Sequence, residues 1–547
     1  MKTRVLIAVV NLRRLVAGCV IAAVAGCCLV FRLQAPAQET PARSTRQERP
    51  VVLTVALAAE PVRLDPHDAR DGPSALVNFH IYDRLLETGP GGELVPALAT
   101  SWRLLPDGLT YVFTLRRGVV FHDGEPFDAG AVVANFQRLL AGSPPPARRE
   151  LVSPYVDSVE ALDPYTVAVR LTRPFGPFLR HLAHESLAMV SPRSIRLAQA
   201  GSPFHPSGTG PFKLSDWTPG DRLTLVKHEG HWRGEPAVDV LEFRVIPDGS
   251  GRALALETGA VHLAYPLDPV HLVRLRRQGR VVVEQVPGQR VVYAALNLAR
   301  PPLDNAEFRR ALNMAVDREA IAQHLLFGLA VPLDSPLAPA TWGYAPAIRY
   351  TYEPLAAKRL LAAAGSEARR PFELWSPSSR YLQDKEVAEA VAAYLEEAGL
   401  DVRIRLFEWG TYLGMLERSS AWDIAVLGWV PATGDADMAL RPLYYSGTRG
   451  NHSGYASPAV DRLLDAAAFT QDDERRKALY REVQSLIAQD APAIFLYAMD
   501  VTYGRQPELE GVVVHSNEII DLRAARVRLP AAGAGRPGAQ DGTGGPR

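Results

Sequence analysis

The chain has 547 residues, carries 60 Lys and Arg against 60 Asp and Glu, and is 22% charged. A chain of this length can bury a large core and form two or more lobes. Its charge is balanced, and it contains neither a basic run nor a block of like charges, which argues against nucleic acid as a partner. The composition therefore predicts a soluble globular body.

The N-terminus has the pattern of an export segment. A basic start at residues 2–14 precedes an apolar stretch of small residues at 15–26, as in a signal peptide. Three endings are open: a lipobox ending at Cys27, which would be lipidated; a small-x-small cleavage site at 35–37; or an uncleaved anchor at 15–31, short for a membrane span. Each of them places the main body outside the cytoplasm.

The cysteines agree with this interpretation. Cys19, Cys27 and Cys28 are the three cysteines of the chain, and all lie in the predicted leader, residues 1–37. The rest of the chain therefore has no disulfide and no cysteine nucleophile. We interpret residues 38–50 as a polar linker and the Gly/Ala/Pro-rich residues 530–547 as a disordered tail.

Strands and turns dominate the first half of the body. Residues 51–56 form a predicted opening strand, and 111–115 alternate as a second strand does. Asp128 is a predicted N-cap of a helix whose apolar residues recur at helical spacing. Residues 159–171 are predicted to form a hairpin that turns at Asp163 and Pro164.

The third quarter has a different pattern. Predicted strands at 372–375, 400–406 and 423–429 alternate with predicted helices at 384–397 and 411–418. Such a βαβαβ run implies right-handed crossovers and a partly parallel sheet. Because the first half is rich in hairpins, we expect two lobes of different build, with a cleft between them that suits a small molecule.

The most informative stretch is WDIAVLGWVPATGDAD, residues 422–437. A strand of buried character runs into Gly428 and Trp429 and then into a loop with two acids. In open α/β sheets, ligands bind just past the carboxyl ends of strands. A tryptophan beside acids at such a place suggests an organic ligand that carries positive charge or amide groups.

Other chemical motifs are weak. The pairs His181/His184 and His228/His231 have a spacing that can chelate a metal, but no third ligand is evident nearby. The sequence has neither the G-x-S-x-G motif of a serine hydrolase nor a P-loop, so that the chain cannot itself be an ATPase. We therefore predict no metal site, no cofactor and no enzymatic activity.

Several blocks, taken together in order, identify a family. They are residues 64–66 (LDP), 81–86 (IYDRLL), 99–128 (ATSWRLLPDGLTYVFTLRRGVVFHDGEPFD), 208–212 (GTGPF), the HEGHW run ending at Trp232, 309–321 (RRALNMAVDREAI), 408–409, 428–429 and 451–455. In this order they resemble the family 5 solute-binding proteins of bacterial ABC importers, the dipeptide, oligopeptide and nickel-binding group.

The resemblance implies an α/β fold, the two-lobe periplasmic-binding-protein clamshell of type II with an extra subdomain in the first lobe. Lobe 1 would span residues 51–291, with the subdomain at about 76–206. Lobe 2 would span 292–502, and residues 503–529 would return to lobe 1. The ligand would be enclosed between the lobes and delivered, unchanged, to a membrane permease with its ATPase. We expect a monomer.

The resemblance also implies ligand-binding residues. Gly428, Trp429 and Val430 match the strand end that pairs with a peptide backbone. The position of the aspartate that receives the peptide amine is Ala432, a departure from the family pattern. Either Asp435 or Asp437 replaces it, or the ligand lacks a free amine.

Three further residues complete the predicted site. Arg380 would meet a ligand carboxylate through its two-pronged guanidinium, and Tyr82 and Asn297 would face the cleft by their family position. The predicted ligand is a peptide or a related amide compound. A nickel or metal-chelate receptor on the same fold remains an alternative, as does an extracytoplasmic hydrolase.

Overall fold

The computed structural model describes residues 50–89, 92–378 and 380–528. The predicted leader with Cys27, nearly all of the linker and the predicted tail lie outside these residues. In the described part of the chain, no helix is both long enough and apolar enough to cross a membrane.

The described residues form strands throughout the chain. In chain order they are β1 (Val52–Leu57), β2 (Leu86–Thr88), β3 (Leu94–Pro96), β4 (Ala99–Leu104), β5 (Thr110–Leu115), β6 (Val156–Asp163), β7 (Thr166–Leu171), β8 (Phe212–Thr218), β9 (Arg222–Lys227), β10 (Val240–Val245), β11 (Leu263–Tyr265), β12 (Val282–Leu296), β13 (Ala330–Pro332), β14 (Pro371–Pro377), β15 (Asp401–Phe407), β16 (Ile424–Trp429), β17 (Ala493–Arg505), β18 (Leu509–Glu510), β19 (Val513–Val514), β20 (Ile520–Asp521) and β21 (Arg526–Val527).

The helices flank these strands. They are α1 (Gly72–Ile81), α2 (Ala129–Ala141), α3 (Phe178–Leu182), α4 (Pro192–Gln199), α5 (Gly249–Glu257), α6 (Pro269–Gln278), α7 (Ala306–Ala315), α8 (Arg318–Ala320), α9 (Pro354–Ala362), α10 (Asp384–Glu397), α11 (Trp409–Arg418), α12 (Asp437–Tyr444), α13 (Pro458–Phe469) and α14 (Asp473–Asp490).

One large mixed sheet runs through both predicted lobes. Its strand order is β15-β14-β16-β12-β17-β11-β1-β10-β9-β8, and β13 pairs with β17 beside it. Strand β14 is parallel to both β15 and β16, so the parallel βαβαβ unit predicted from the sequence is confirmed. It supplies the second-lobe end of the sheet.

Two long antiparallel strands, β12 and β17, connect the two ends of the sheet. Strand β12 pairs with β16 and β17 on either side, and its register with β17 shifts between Val286 and Arg290. The predicted lobe boundaries at 291/292 and 502/503 fall inside these strands. Both predicted crossings therefore lie within continuous strands, and the register shift in β12 is close to the first of them.

A separate antiparallel sheet, β4-β5-β7-β6, lies within the predicted subdomain. The hairpin predicted at 159–171 is the pair β6 and β7. Asp128 caps α2, as expected, because its carboxylate accepts the Ala131 N–H at 2.9 Å. Buried aromatic residues of this sheet and helix, among them Phe113 and Phe136, form the core of the subdomain.

Two buried histidines join segments that are distant in the chain. His67 accepts a hydrogen bond from the Arg138 guanidinium at Nδ1 (3.2 Å) and donates from Nε2 to the Ala188 carbonyl (3.1 Å). His80 accepts the Leu522 N–H at Nε2 (3.1 Å). Each ring uses one nitrogen as an acceptor, so each must be neutral. Burial lowers the pKa of both rings to about 4.

We expect the free energy of unfolding to fall as the pH drops from about 6.5 towards 4. The unfolded chain takes up these protons near pH 6.5, whereas the folded chain takes them up only near pH 4. Within this window each ring lowers the free energy of unfolding by up to ~1.4 kcal/mol for each unit by which the pH falls. Urea unfolding at pH 7 and pH 5 measures the loss.

The variant His80→Gln should show a smaller loss of stability between the two pH values. The same substitution at His205, whose side chain is exposed, is the matched control. An equal pH dependence for wild type and His80→Gln would contradict this account of the buried ring.

Candidate functional site

A cavity of about 460 Å³ lies between the two predicted lobes, a size that suits a small organic ligand. Its first-lobe wall comes from the end of α1 and the segment after it, from α3 and from the chain after β18. Its opposite wall comes from the irregular part of β12, the segment 339–342 and the loop after β16. The lining thus combines segments from both predicted lobes.

The loop after β16 reaches the cavity through Ala432, Thr433 and Gly434. Gly434 has a φ of +68°, and a Cβ there would lie 3.2 Å from Nε2 of Gln289. The turn therefore requires glycine at this position. The loop that the sequence marks as ligand-binding therefore does border the cavity. The residues that do so lie between Val430 and Asp435, the two loop residues predicted to contact the ligand.

The opposite wall offers neutral polar groups. Oε1 of Gln289, Oγ1 of Thr341 and Oγ1 of Thr433 are buried and have no hydrogen-bond partner among the described residues. Gln289 is oriented by its amide nitrogen, which donates to the Ala340 carbonyl at 3.0 Å. Buried polar groups normally have partners, so these three are available to the amide groups of a ligand.

The first-lobe wall is charged. Arg84 and Arg523 both contact one oxygen of Glu87, at 3.1 and 2.8 Å, and their guanidiniums lie 4.4 and 4.6 Å from the centre of the Phe79 ring. Burial lowers the pKa of Arg84, which is the expected cost of a buried guanidinium. Shared pairing and stacking therefore fix two cationic groups at this wall.

Asp435 lies behind the opposite wall, fully buried. Its Oδ2 is 2.6 Å from Arg476 and 3.6 Å from Arg180, which lies in the predicted subdomain of the first lobe. The two guanidiniums lie 4.3 and 4.5 Å from the ring centre of Trp342, a cavity residue. Although burial opposes it, Asp435 raises the pKa of Arg476 above its usual value. This ion-pair network crosses from one predicted lobe to the other.

The two acids predicted to bind an amine are therefore already paired. Asp435 holds Arg180 and Arg476, and Asp437 at the start of α12 lies 3.3 Å from Arg441. Burial raises the pKa of Asp437. Neither carboxylate lines the cavity, and their role in binding an amine stays a prediction.

The strand end itself is also bonded within the second lobe. The Gly428 N–H donates to the Tyr381 hydroxyl at 2.9 Å, and Nε1 of Trp429 donates to the Met438 carbonyl at 2.7 Å. Val430 is half-buried. These three residues stand next to the cavity-lining part of the loop without lining the cavity themselves, and their ligand contacts stay predictions.

The three remaining predicted residues are placed elsewhere. The buried Tyr82 hydroxyl donates to the Leu64 carbonyl at 2.8 Å, and Nδ2 of Asn297 donates to the Trp422 carbonyl at 3.0 Å. Arg380 is exposed and stacks 5.1 Å from the Trp409 ring centre. Tyr82 and Asn297 make hydrogen bonds within the protein, none of the three lines the cavity, and their ligand contacts stay predictions.

Local sequence patterns indicate the residues that line the cavity only weakly. Asp83 and Arg84 stand between the apolar pairs 81–82 and 85–86, which is unusual for charged residues unless they are paired. Arg523, Trp342 and Gln289 carry no local pattern that distinguishes them from surface residues. Only the fold brings them together.

The two histidine pairs singled out in the sequence lie in the predicted first lobe. In the described part of the chain, no group of three or more His, Cys, Asp or Glu side chains could hold a metal ion. His181 is bonded at Nδ1 to the Leu151 carbonyl (2.9 Å), and His184 accepts the Ser186 N–H (3.0 Å). Both are buried parts of the subdomain.

Comparison with known proteins gives consistent matches. Residues 93–451 match the family model described as bacterial extracellular solute-binding proteins, family 5 Middle. The glutathione-binding protein GsiB of Salmonella paratyphi A is 32% identical over 470 residues, which cover 84% of this chain and 91% of that protein.

Solved structures agree. The periplasmic binding protein DppA of Helicobacter pylori, in complex with the peptide STSA, is 30% identical with a TM-score of 0.74, covering 87% of this chain and 98% of that one. The dipeptide-binding protein of Pseudoalteromonas sp. SM9913, in complex with Met-Leu, is 26% identical with a TM-score of 0.75, covering 87% of this chain and 100% of that one.

Proposed function

The chain belongs to the family 5 bacterial extracellular solute-binding proteins, and we propose that it binds a short peptide or a related amide compound between its lobes for delivery to an ABC permease. The family and the two-lobe α/β fold predicted from the sequence blocks are confirmed by the matches. The ligand class is proposed.

The cavity carries the proposal. Its volume of about 460 Å³ fits a ligand of two or three residues. The unpartnered oxygens of Gln289, Thr341 and Thr433 suit the N–H groups of amide bonds. Relatives described as binding glutathione or the dipeptide Met-Leu support the same ligand class, and glutathione is the first compound to test.

We further propose that the ligand leaves chemically unchanged and that the protein uses no cofactor. The family description names solute binding, which supports this proposal. The polar groups of the cavity are held by ion pairs and hydrogen bonds that fix their positions, which favours recognition.

The body is proposed to act outside the cytoplasm, as the family description states for its members. Lipidation at Cys27 would anchor it to the membrane, and the predicted leader that contains this residue lies outside the described residues. The proposed partners are a permease and its ATPase, and the proposed oligomeric state is a monomer.

Isothermal titration calorimetry tests the proposal. Glutathione and mixed di- and tripeptides are titrated into the purified protein, with nickel and a nickel–histidine complex as the alternative ligands. We expect micromolar or tighter binding of at least one peptide compound. Binding of the nickel ligands alone would favour the metal-receptor alternative, and release of cleaved peptide would favour a hydrolase.

Two tryptophan variants test whether the ligand binds in the cavity or at the strand end. Trp342 lines the cavity, so Trp342→Ala should weaken binding of the best peptide ligand at least tenfold, or ~1.4 kcal/mol. Trp429→Ala is the matched comparison, because Trp429 is bonded to Met438 and does not line the cavity. A larger loss from Trp429→Ala, measured by the same titration, would return the binding role to the strand end.

A further inference from the structure

The charge on the cavity walls is unequally distributed. The charged side chains among the lining residues are Arg84, Glu87, Arg180, Glu185 and Arg523. All of them come from segments of the predicted first lobe. The lining segments 286–289, 339–342 and 432–434 contribute neutral residues. A ligand enclosed here therefore meets charge on one side only.

One nitrogen of the Arg84 guanidinium is available to a ligand at the charged wall. Its side chain is 3% exposed and contacts Glu87 through Nη2, whereas Nη1 has no hydrogen-bond partner among the described residues. Glu87 is shared, since Arg523 contacts one of its oxygens at 2.8 Å and Arg233 the other at 3.0 Å. Asp521 gives Arg523 a second carboxylate at 2.8 Å.

Glu87 is thus shared by three guanidiniums, and Nη1 of the buried Arg84 has no hydrogen-bond partner among the described residues. A buried charge without full compensation is costly, and a carboxylate from the ligand would supply the missing partner. Guanidinium and carboxylate also form the strongest class of hydrogen bond between side chains. This wall is suited to an anionic group.

The neutral wall is suited to an uncharged group. Ala432 stands between the half-buried strand end and Thr433, and the free polar atoms nearby are the oxygens of Thr433, Thr341 and Gln289. These oxygens can accept N–H groups, but they carry no charge to balance an ammonium. An ammonium group enclosed here would lose its bound water and would gain no counter-charge in exchange, which is unfavourable.

We propose that the ligand is a peptide-like carboxylate whose anionic group binds at Arg84 and whose end beside Ala432 is uncharged, as in an acylated rather than a free amine. This inference rests on the proposed function and specifies its ligand class. Glu185 is the remaining carboxylate at the charged wall, and it lies 3.3 Å from Nε2 of His184.

The test uses one tripeptide library in three forms: free at both ends, N-acetylated and C-amidated. Competition for the purified protein is followed by native mass spectrometry, and the best binders are titrated by calorimetry. We expect N-acetylation to leave affinity within about threefold or improve it, and C-amidation to weaken it at least about tenfold.

Two variants localise the effect. Arg84→Gln should weaken binding of the free acids at least about tenfold and remove most of the difference between acid and amide. Arg233→Gln is the matched control, because Arg233 contacts the same Glu87 but does not line the cavity. Ala432→Asp adds a carboxylate to the neutral wall and should shift preference towards free amines by about tenfold.

The outcomes separate this inference from the proposed function. Binding of library members with loss of affinity on acetylation, or with none on amidation, would overturn the inference alone. No binding of any form by the wild type would overturn the proposed peptide ligand as well. If Arg84→Gln fails to fold, the three ligand forms on the wild type and on Ala432→Asp still decide the question.

Discussion

Replacing Asp435 with asparagine is expected to lower the free energy of unfolding by about 3–5 kcal/mol. Asp435 is fully buried and is the shared carboxylate of Arg476 (2.6 Å) and Arg180 (3.6 Å). Without its charge, two guanidiniums stay buried between the lobes with little compensation. The substitution keeps the shape of the side chain, so the loss measures charge rather than packing.

Asp473→Asn is the matched control. Asp473 pairs with the same Arg476 at 3.2 Å, but its own side chain is 55% exposed. Exposed ion pairs contribute roughly 0–1 kcal/mol, so this variant should unfold near the wild-type urea concentration. Equal losses of unfolding free energy for the two variants would show that the buried ion pairs of Asp435 stabilise the fold no more than the exposed pair of Asp473 does.

Ala432→Trp is expected to weaken binding of the best peptide ligand at least about 100-fold, or ~2.7 kcal/mol. Ala432 is half-buried at the cavity wall, between the strand end of β16 and Thr433. An indole at this position would project into the space that the ligand needs and would oppose enclosure of the ligand. Calorimetry with the ligand found for the wild type measures the change.

The same substitution at Ala421 is the control. Ala421 is exposed just before β16, at the opposite end of that strand from Ala432, and does not line the cavity. Affinity close to the wild type is expected for Ala421→Trp. If Ala432→Trp also binds like the wild type, the ligand must be bound somewhere other than this cavity.

Local patterns in the sequence were enough to predict much of the fold. The helices α2 and α10 and the strands β14 to β16 follow apolar periodicities that need no distant partner to be recognised. The full extent of β12 and β17 was not predictable in this way. Pro287 and Gly288 interrupt the pattern of β12, and both strands are defined by their pairing with each other across a long sequence separation.

The site was predictable only in outline. The loop after β16 was found because a strand end with a tryptophan and acids is a local signal. The direction of its side chains could not be predicted locally. It depends on the positive φ of Gly434 and on Arg476, with which Asp435 forms an ion pair outside the cavity. The charged wall joins Arg84 to Arg523 near the other end of the chain, and such a juxtaposition exists only in the folded protein.

A crystal structure of the protein with its best peptide ligand tests the central claim most directly. The account predicts ligand density enclosed between the lobes, with a carboxylate at Arg84 and the opposite end beside Ala432 and Thr433. Ligand density outside the cavity lined by these residues, or an ammonium group at Ala432 in place of an uncharged end, would contradict it.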